Sequence, residues 1–342
     1  MRKVNLDILR ILACFLVIVN HTNSDVFLST VPSLTWFSSV LYFFVSKVAV
    51  PLFVMISGAV LLSKKETYKE FFKKRILKTM LVLISFSFMY YMISIIKTGG
   101  TFDVIDFIRK LYSQQITNAF WYLYLYLGIL LMLPLLRKLV EKLSVKDYIY
   151  YFSISITVFS ILPIVEHYLE FPPIQNHFML PIFNIYITYF LLGHFIENVL
   201  DKKYFNNKIS ATLLIGGTFA IIMSVILTYN EYKINPSNYL FFDKAILITT
   251  LIPSVMLFYI SKLYFCDKTG KGYNVISKIS THTFGIYLIS DLLISELQPL
   301  KTNLMAITHS LIGVIIFEIV VFTAGLILTW ILKKLPILRK VL

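Results

Sequence analysis

The sequence alternates long apolar runs with short basic segments. At a rise of 1.5 Å per residue, a helix of about 20 residues spans the roughly 30 Å hydrocarbon core of a bilayer. Hydrophobic residues make up 58% of the 342-residue chain, and only 15% of residues are charged, against about 25% in soluble domains. The pattern predicts an all-α, polytopic integral membrane protein with about ten transmembrane helices. They are predicted at 4–27, 39–62, 76–96, 120–136, 148–165, 178–200, 209–229, 244–265, 279–297 and 305–332.

Lysine and arginine are unequally distributed between the two sets of connecting segments. With the N-terminus in the cytoplasm, the inner segments hold 24 of the 32 basic residues and the outer segments hold six. Basic residues favour cytoplasmic loops, so both termini are predicted to be cytoplasmic. The net charge of +14 is then a topology signal that fits anionic lipid rather than nucleic acid as a partner. We expect residues 1–342 to form one transmembrane domain with no appended soluble domain.

The first predicted helix carries the ionisable residues Asp7, Arg10 and His21. Such residues are costly within a membrane and indicate function. Arg10 and His21 are eleven residues apart, so they share one helix face and lie about 16 Å apart along the axis. Asp7 precedes Arg10 by three residues on nearly the same face, where it can pair with the guanidinium. A cation near one membrane surface and an imidazole deep in the span fit a long ligand that is anionic at one end and reactive at the other.

The spacing of Arg10 and His21 also fits a purely structural role. Arg10 would then extend its guanidinium to the cytoplasmic surface while its aliphatic stem stays in the membrane. His21 would be an interfacial residue beside Asn20 and Thr22. Spacing alone leaves both alternatives open.

Five short motifs follow one another along the chain. They are LDILR at 6–10 with His21 ten residues after the arginine, VPLFVMISG at 50–58, FFKKRI at 71–76, FWYL at 120–123 and GIYLI at 285–289. Together they resemble the motifs of membrane-bound acyltransferase family 3. The matches run from residue 6 to 289, so the resemblance covers the chain. Within the second motif, Ser57 and Gly58 predict close helix packing rather than chemistry.

The resemblance implies transfer of an acyl group, commonly acetyl, from cytoplasmic acyl-CoA to a hydroxyl of an extracytoplasmic glycan. It also implies a bacterial plasma membrane location and acetyl-CoA as the donor. No metal is predicted, because the histidines lack metal-ligand spacing. Arg and Lys bind phosphate through charge-assisted hydrogen bonds, so the CoA nucleotide is predicted to lie among four basic residues. These are Arg10, Lys73, Lys74 and Arg75.

The transfer chemistry needs a group that deprotonates the acceptor hydroxyl. A neutral imidazole suits this task at physiological pH, so His21 is predicted to be the general base for direct transfer. Alternatively, His21 activates a protein nucleophile or carries the acyl group itself. Asn20 or a backbone amide is expected to steady the oxyanion, and the sequence does not choose between them.

The acceptor side is less well defined by the sequence. Trp121 and Tyr122 either belong to an aromatic belt at the outer interface or contact the acceptor sugar. Many family members carry a histidine directly after the Tyr-Leu-Ile of the late motif, where this chain has Ser290 followed by Asp291. No role for that histidine can be transferred to this chain. We assign Asp291, with the two aromatic residues, to acceptor binding.

A transporter or flippase for a small polar solute or a lipid-linked glycan is the alternative function. A transporter has no evident need for phosphate-binding cations aligned with a deep imidazole, and that alignment favours the enzyme. Beyond acyl-CoA, the glycan and membrane lipid, the candidate partners are a second copy of the chain and polysaccharide-assembly proteins.

Overall fold

Helices account for the regular structure of the protein. The computed structural model describes residues 3–174, 183–266 and 268–335, and this part of the chain contains no strand. The α-helices in chain order are α1 (Val4–Thr22), α2 (Ser24–Leu28), α3 (Leu34–Ser46), α4 (Ala49–Leu61), α5 (Tyr68–Phe71), α6 (Lys78–Thr98), α7 (Val104–Ser113), α8 (Trp121–Val140), α9 (Val145–Ile156), α10 (Leu162–Leu169), α11 (Ile185–His194), α12 (Asn207–Ile234), α13 (Ile248–Phe265), α14 (Lys271–Ser280), α15 (Thr283–Glu296), α16 (Gln298–Ile307) and α17 (Ser310–Leu332). Wider π-helical turns occur at Phe72–Leu77, Thr157–Ile161 and Phe195–Val199, and 3₁₀ turns at Asn118–Phe120, Lys202–Tyr204 and Phe241–Asp243.

Eight helical segments within the described residues are long and apolar enough to cross a membrane. They confirm the predicted polytopic helical membrane bundle. The segments are Val4–Leu28, Leu34–Leu61, Tyr68–Thr98, Asn118–Val140, Val145–Leu169, Asn207–Ile234, Phe241–Phe265 and Ser310–Leu332.

The other two predicted spans contain shorter helices. The span predicted at 178–200 contains α11 and the π-helical turn that follows it, and its first residues, 178–182, lie outside the described part of the chain. The span predicted at 279–297 contains α15, which has 14 residues. A new helix starts directly after it with Pro299 in its first turn, where the missing N–H of proline costs no hydrogen bond.

Helix α1 is surrounded by other helices. It packs against α3, α4, α13, α14, α15 and α17. Ala13, Ile18 and Val19 on α1 are fully buried. Near its start, the amide of Asn5 donates to the buried carboxylate of Glu197 (3.0 Å), which also pairs with Lys262 (3.0 Å). The helix that carries the predicted site is therefore held on all sides.

Helices α4 and α11 touch backbone to backbone at two glycines. A Cβ atom on Gly58 would lie 1.8 Å from the carbonyl oxygen of Phe190, and one on Gly193 would lie 1.9 Å from that of Met55. A main chain cannot move aside as a flexible side chain can, so only glycine fits at these positions. Small residues allow such close approach in membranes, and the packing role predicted for Gly58 is confirmed.

Candidate active site

The inner end of the site, where α1 begins, is organised by a buried carboxylate. Asp7 is fully buried, and its Oδ1 accepts a hydrogen bond from Arg10 Nη1 at 2.9 Å. The hydroxyls of Ser277 and Ser280 on α14 also donate to Asp7, both at 2.8 Å. These partners compensate the burial of the charge and fix the position of the Arg10 guanidinium.

A second carboxylate organises the basic segment between α5 and α6. Glu66 accepts hydrogen bonds from Arg75 (2.8 Å) and Arg137 (2.9 Å), one on each oxygen. Partial burial of this carboxyl opposes ionisation, but the two guanidinium groups outweigh it and lower the pKa of Glu66 to about 2. Arg75 lies in the π-helical turn Phe72–Leu77, a kind of turn that is frequent at functional sites.

An inner cavity of about 310 Å³ opens beside these groups. Among the described residues, its lining contains four cations and no carboxylate. The cations are Arg10, Lys74, Arg75 and Lys78. Lys73 is exposed and does not line the cavity. Lys78 lies there instead, and the sequence prediction missed it. A cavity lined by charges of one sign can bind a polyanion such as a phosphate-bearing nucleotide.

An aromatic wall separates the inner cavity from a second one. Phe53, Tyr122 and Tyr287 line both cavities. The ring of Tyr122 makes edge-to-face contact with Tyr287, with centroids 5.9 Å apart, and the Tyr287 hydroxyl donates to the carbonyl of Ala119. The side chains that form this wall are thus shared by the two spaces.

The outer cavity, of about 180 Å³, contains the predicted base. His21 and Asn20 line it from the end of α1, and Trp121 lines it from the start of α8. Two charged residues that the sequence did not assign to the site, Lys47 and Asp243, also line it. The Asn20 side-chain oxygen is buried and makes no hydrogen bond within the described residues.

The end of α1 is held in place by a polar network on α16 and α17. The Thr22 hydroxyl donates to Glu318 (2.8 Å), whose other oxygen accepts from Tyr42 (2.7 Å). The ammonium of Lys301 donates to the main-chain carbonyl of Thr22 (2.9 Å) and also pairs with Asp25. Since Thr22 follows His21 directly, this network fixes the backbone that presents the imidazole.

Asp291 lies apart from the other predicted acceptor residues. It lines a separate outer cleft of about 520 Å³, together with Tyr90, Tyr91 and Gln114, whereas Trp121 and Tyr122 line the cavity of His21. Asp291 is nevertheless close enough to His21 to interact with it electrostatically. The structure thus divides the predicted acceptor set between two spaces.

The protein is a multi-pass membrane protein. Its helix α1 lines the inner, cationic cavity through Arg10 and the outer cavity through His21. The acyltransferase domain that characterises acyltransferase family 3 matches residues 3–334. The chain therefore belongs to acyltransferase family 3 and is a membrane acyltransferase. Comparisons with curated proteins and with solved structures give no significant match.

Proposed function

We propose that the protein transfers an acyl group, most simply acetyl, from cytoplasmic acyl-CoA to a hydroxyl of an extracytoplasmic glycan in a bacterial plasma membrane. The observation that carries this proposal is the pair of cavities along α1. One is cationic, the other holds an imidazole, and they share an aromatic wall.

The donor fits this arrangement by charge and length. Acyl-CoA joins a phosphate-rich nucleotide to its thioester through an extended pantetheine arm. The phosphates would bind the inner cations, where Arg10 is already held by Asp7 and arginine suits bidentate phosphate contacts. The arm would pass Phe53, Tyr122 and Tyr287 and place the thioester near His21, about 16 Å further along the helix.

The reaction requires one proton to move twice. His21 accepts the proton of the acceptor hydroxyl as its oxygen attacks the thioester carbon. The resulting tetrahedral oxyanion collapses and breaks the carbon–sulfur bond. The leaving CoA thiolate takes the proton from the imidazolium, which regenerates His21. Asp291 interacts electrostatically with His21, and a carboxylate in that place stabilises the transient imidazolium.

The acceptor is proposed to be a sugar because of what surrounds the outer cavity. Trp121 and Tyr186 present aromatic rings, and aromatic side chains with a polar group can pack on one face of a sugar ring and bond its hydroxyls. The volume of about 180 Å³ suits one sugar ring or one acyl group rather than a bulky chain. The rest of a glycan would remain outside.

Acetyl transfer by purified protein in nanodiscs tests the proposal. Labelled acetyl-CoA and a bacterial surface-glycan extract are supplied to wild type, His21→Ala and His309→Ala, the last a control because His309 is exposed on the outer side. We expect labelled glycan from wild type and the control, and a loss of about 10³-fold with His21→Ala.

Failure of the folded wild-type protein to bind or consume any acyl-CoA would contradict the proposal. Movement of a polar solute or lipid-linked glycan across the bilayer of liposomes that contain the protein, without acyl-CoA consumption, would identify a transporter instead.

A further inference from the structure

We propose that Lys47 stabilises the oxyanion formed during acyl transfer, an inference that depends on the function proposed above. Lys47 lies in the short connection between α3 and α4 and lines the cavity that holds His21. Nothing in the sequence motifs marks it.

The Lys47 ammonium is a largely buried cation with an incomplete set of partners among the described residues. Its side chain is 11% exposed, and its Nζ lies 3.9 Å from the centre of the Phe43 ring. The nearest Asp243 oxygen is 3.8 Å away, which is too long for a hydrogen bond. An ammonium carries three N–H donors. The ion pair with Asp243 therefore leaves donors for a ligand in the cavity.

The ion pair with Asp243 does not by itself explain why the Lys47 ammonium is largely removed from water. Removing a charge from water costs free energy, and an opposite charge offsets this cost only when the two groups are close and well oriented. Asp243 is at long distance, and its side chain is 36% exposed, so its attraction for Lys47 is weakened by water. A negative charge that appears inside the cavity during the reaction therefore meets a cation whose charge Asp243 compensates only in part.

The size of the cavity places Lys47 near the reacting atoms. The cavity that His21 and Lys47 both line has a volume of about 180 Å³, below the range of about 300–1,000 Å³ that is usual for small-molecule sites. A thioester carbonyl attacked within reach of His21 therefore lies only a few atoms from every group that lines the same space. Lysine, with its flexible stem, can direct an N–H to the carbonyl oxygen.

The fixed charges around His21 match the charges that develop in the reaction. Both Lys47 and Asp291 interact electrostatically with His21. When the acceptor oxygen attacks, the proton goes to the imidazole and the carbonyl electron pair goes to the oxygen. Asp291 then attracts the new positive charge on the imidazole, while Lys47 donates a hydrogen bond to the new negative charge and keeps its own proton. Such preorganised donors act strongly where water is excluded.

Lys47→Met tests the proposal, since it keeps the unbranched apolar stem of the side chain and removes the ammonium group. We expect turnover at saturating acetyl-CoA and glycan to fall about 10²-fold to 10³-fold, as on removal of an oxyanion donor, with unchanged acetyl-CoA affinity. Lys47→Arg restores the charge and should recover at least a tenth of the wild-type rate. Lys244→Met is the matched control, because Lys244 is an exposed lysine next to Asp243. The rate of this variant should equal that of wild type.

Asp243→Asn separates this role from a structural ion pair. If the pair only stabilises the fold, Asp243→Asn and Lys47→Met lower the rate equally, and the double variant is no worse than either. If Lys47 acts on the oxyanion, Asp243→Asn leaves the cation in place and changes the rate by less than about 3-fold. Equal losses in the two variants, or a wild-type rate in Lys47→Met, would overturn the proposal. An inactive wild type would instead overturn the function on which the proposal depends.

Discussion

The inner and outer cavities along α1 differ in how charge is arranged. Within the part of the chain that the structure describes, four cations and no carboxylate line the inner cavity. Asp7 and Glu66, the carboxylates that hold two of these cations, contact them from outside its lining. The outer cavity contains one imidazole, one ammonium and one carboxylate. A single-sign arrangement suits the binding of a polyanion, whereas a balanced one suits a reaction in which charges appear and disappear.

This difference predicts different responses to mutation. In the inner cavity several cations share one ligand, so each contributes part of the binding free energy. In the outer cavity His21 and Lys47 each have a task of their own, so substitution of either one removes a whole function. Substitutions at the inner end should therefore alter affinity by graded amounts and leave the rate of the bound complex intact.

The largest graded effect is expected for Arg10→Ala. Removing one hydrogen bond to a charged group costs about 1.5–3 kcal/mol, so acetyl-CoA affinity should fall about 10-fold to 100-fold. The measurement is equilibrium binding of acetyl-CoA to protein in nanodiscs. Because Arg10→Ala leaves the buried carboxylate of Asp7 without its guanidinium partner, Asp7→Asn/Arg10→Ala is the control that removes both charges. Unchanged affinity in both variants would exclude Arg10 from phosphate binding.

A smaller effect is expected for Lys78→Ala, with Lys73→Ala as its matched control. Both lysines belong to the same basic segment, but only Lys78 lines the inner cavity. We expect a loss of acetyl-CoA affinity of about 5-fold for Lys78→Ala and none for Lys73→Ala in the same binding assay. Equal losses would mean that the segment acts through its total charge rather than through the cavity.

The smallest effect on affinity is expected for Glu66→Gln. The change removes the carboxylate that holds Arg75, so Arg75 can move, and it also makes the inner end more positive. The first effect weakens acetyl-CoA binding and the second strengthens it. We expect acetyl-CoA affinity to change by less than about 2-fold. A change as large as that of Arg10→Ala would show that Glu66 does more than hold Arg75.

Glu66 should also make stability depend on pH. Its pKa is lowered to about 2 in the folded protein, so its contribution is complete above its ordinary pKa near 4.5 and is lost as pH falls through about 2. Near pH 7, Glu66→Gln should lower the unfolding temperature in detergent relative to wild type. Below about pH 4.5 the difference should narrow, and a difference that is independent of pH would contradict the ion-pair role.

The site residues whose relative positions could be predicted from the sequence lie on one helix. Arg10 and His21 could be aligned from helical spacing alone, because eleven residues complete nearly three turns. The same rule could have found Lys78, which lies four residues after Lys74 on the same helix face.

The unpredicted part depends on contacts between distant segments. Lys47 and Asp243 meet in the cavity of His21 although they are far apart in the chain. Gly58 was recognisable as a packing position, but its partner Gly193 on α11 was not. Apolar runs of similar length and composition do not specify which helices become neighbours, because every such helix is compatible with the lipid.

The most direct test of the division between binding and chemistry compares Arg10→Ala with His21→Ala in two assays. One measures the equilibrium affinity for acetyl-CoA, and the other measures acetyl transfer in a single turnover at saturating acetyl-CoA. The account predicts a crossed result: Arg10→Ala binds weakly but transfers at close to the wild-type rate, and His21→Ala binds normally but transfers about 10³-fold more slowly. Equal losses of affinity in both variants, or of transfer rate in both, would contradict it.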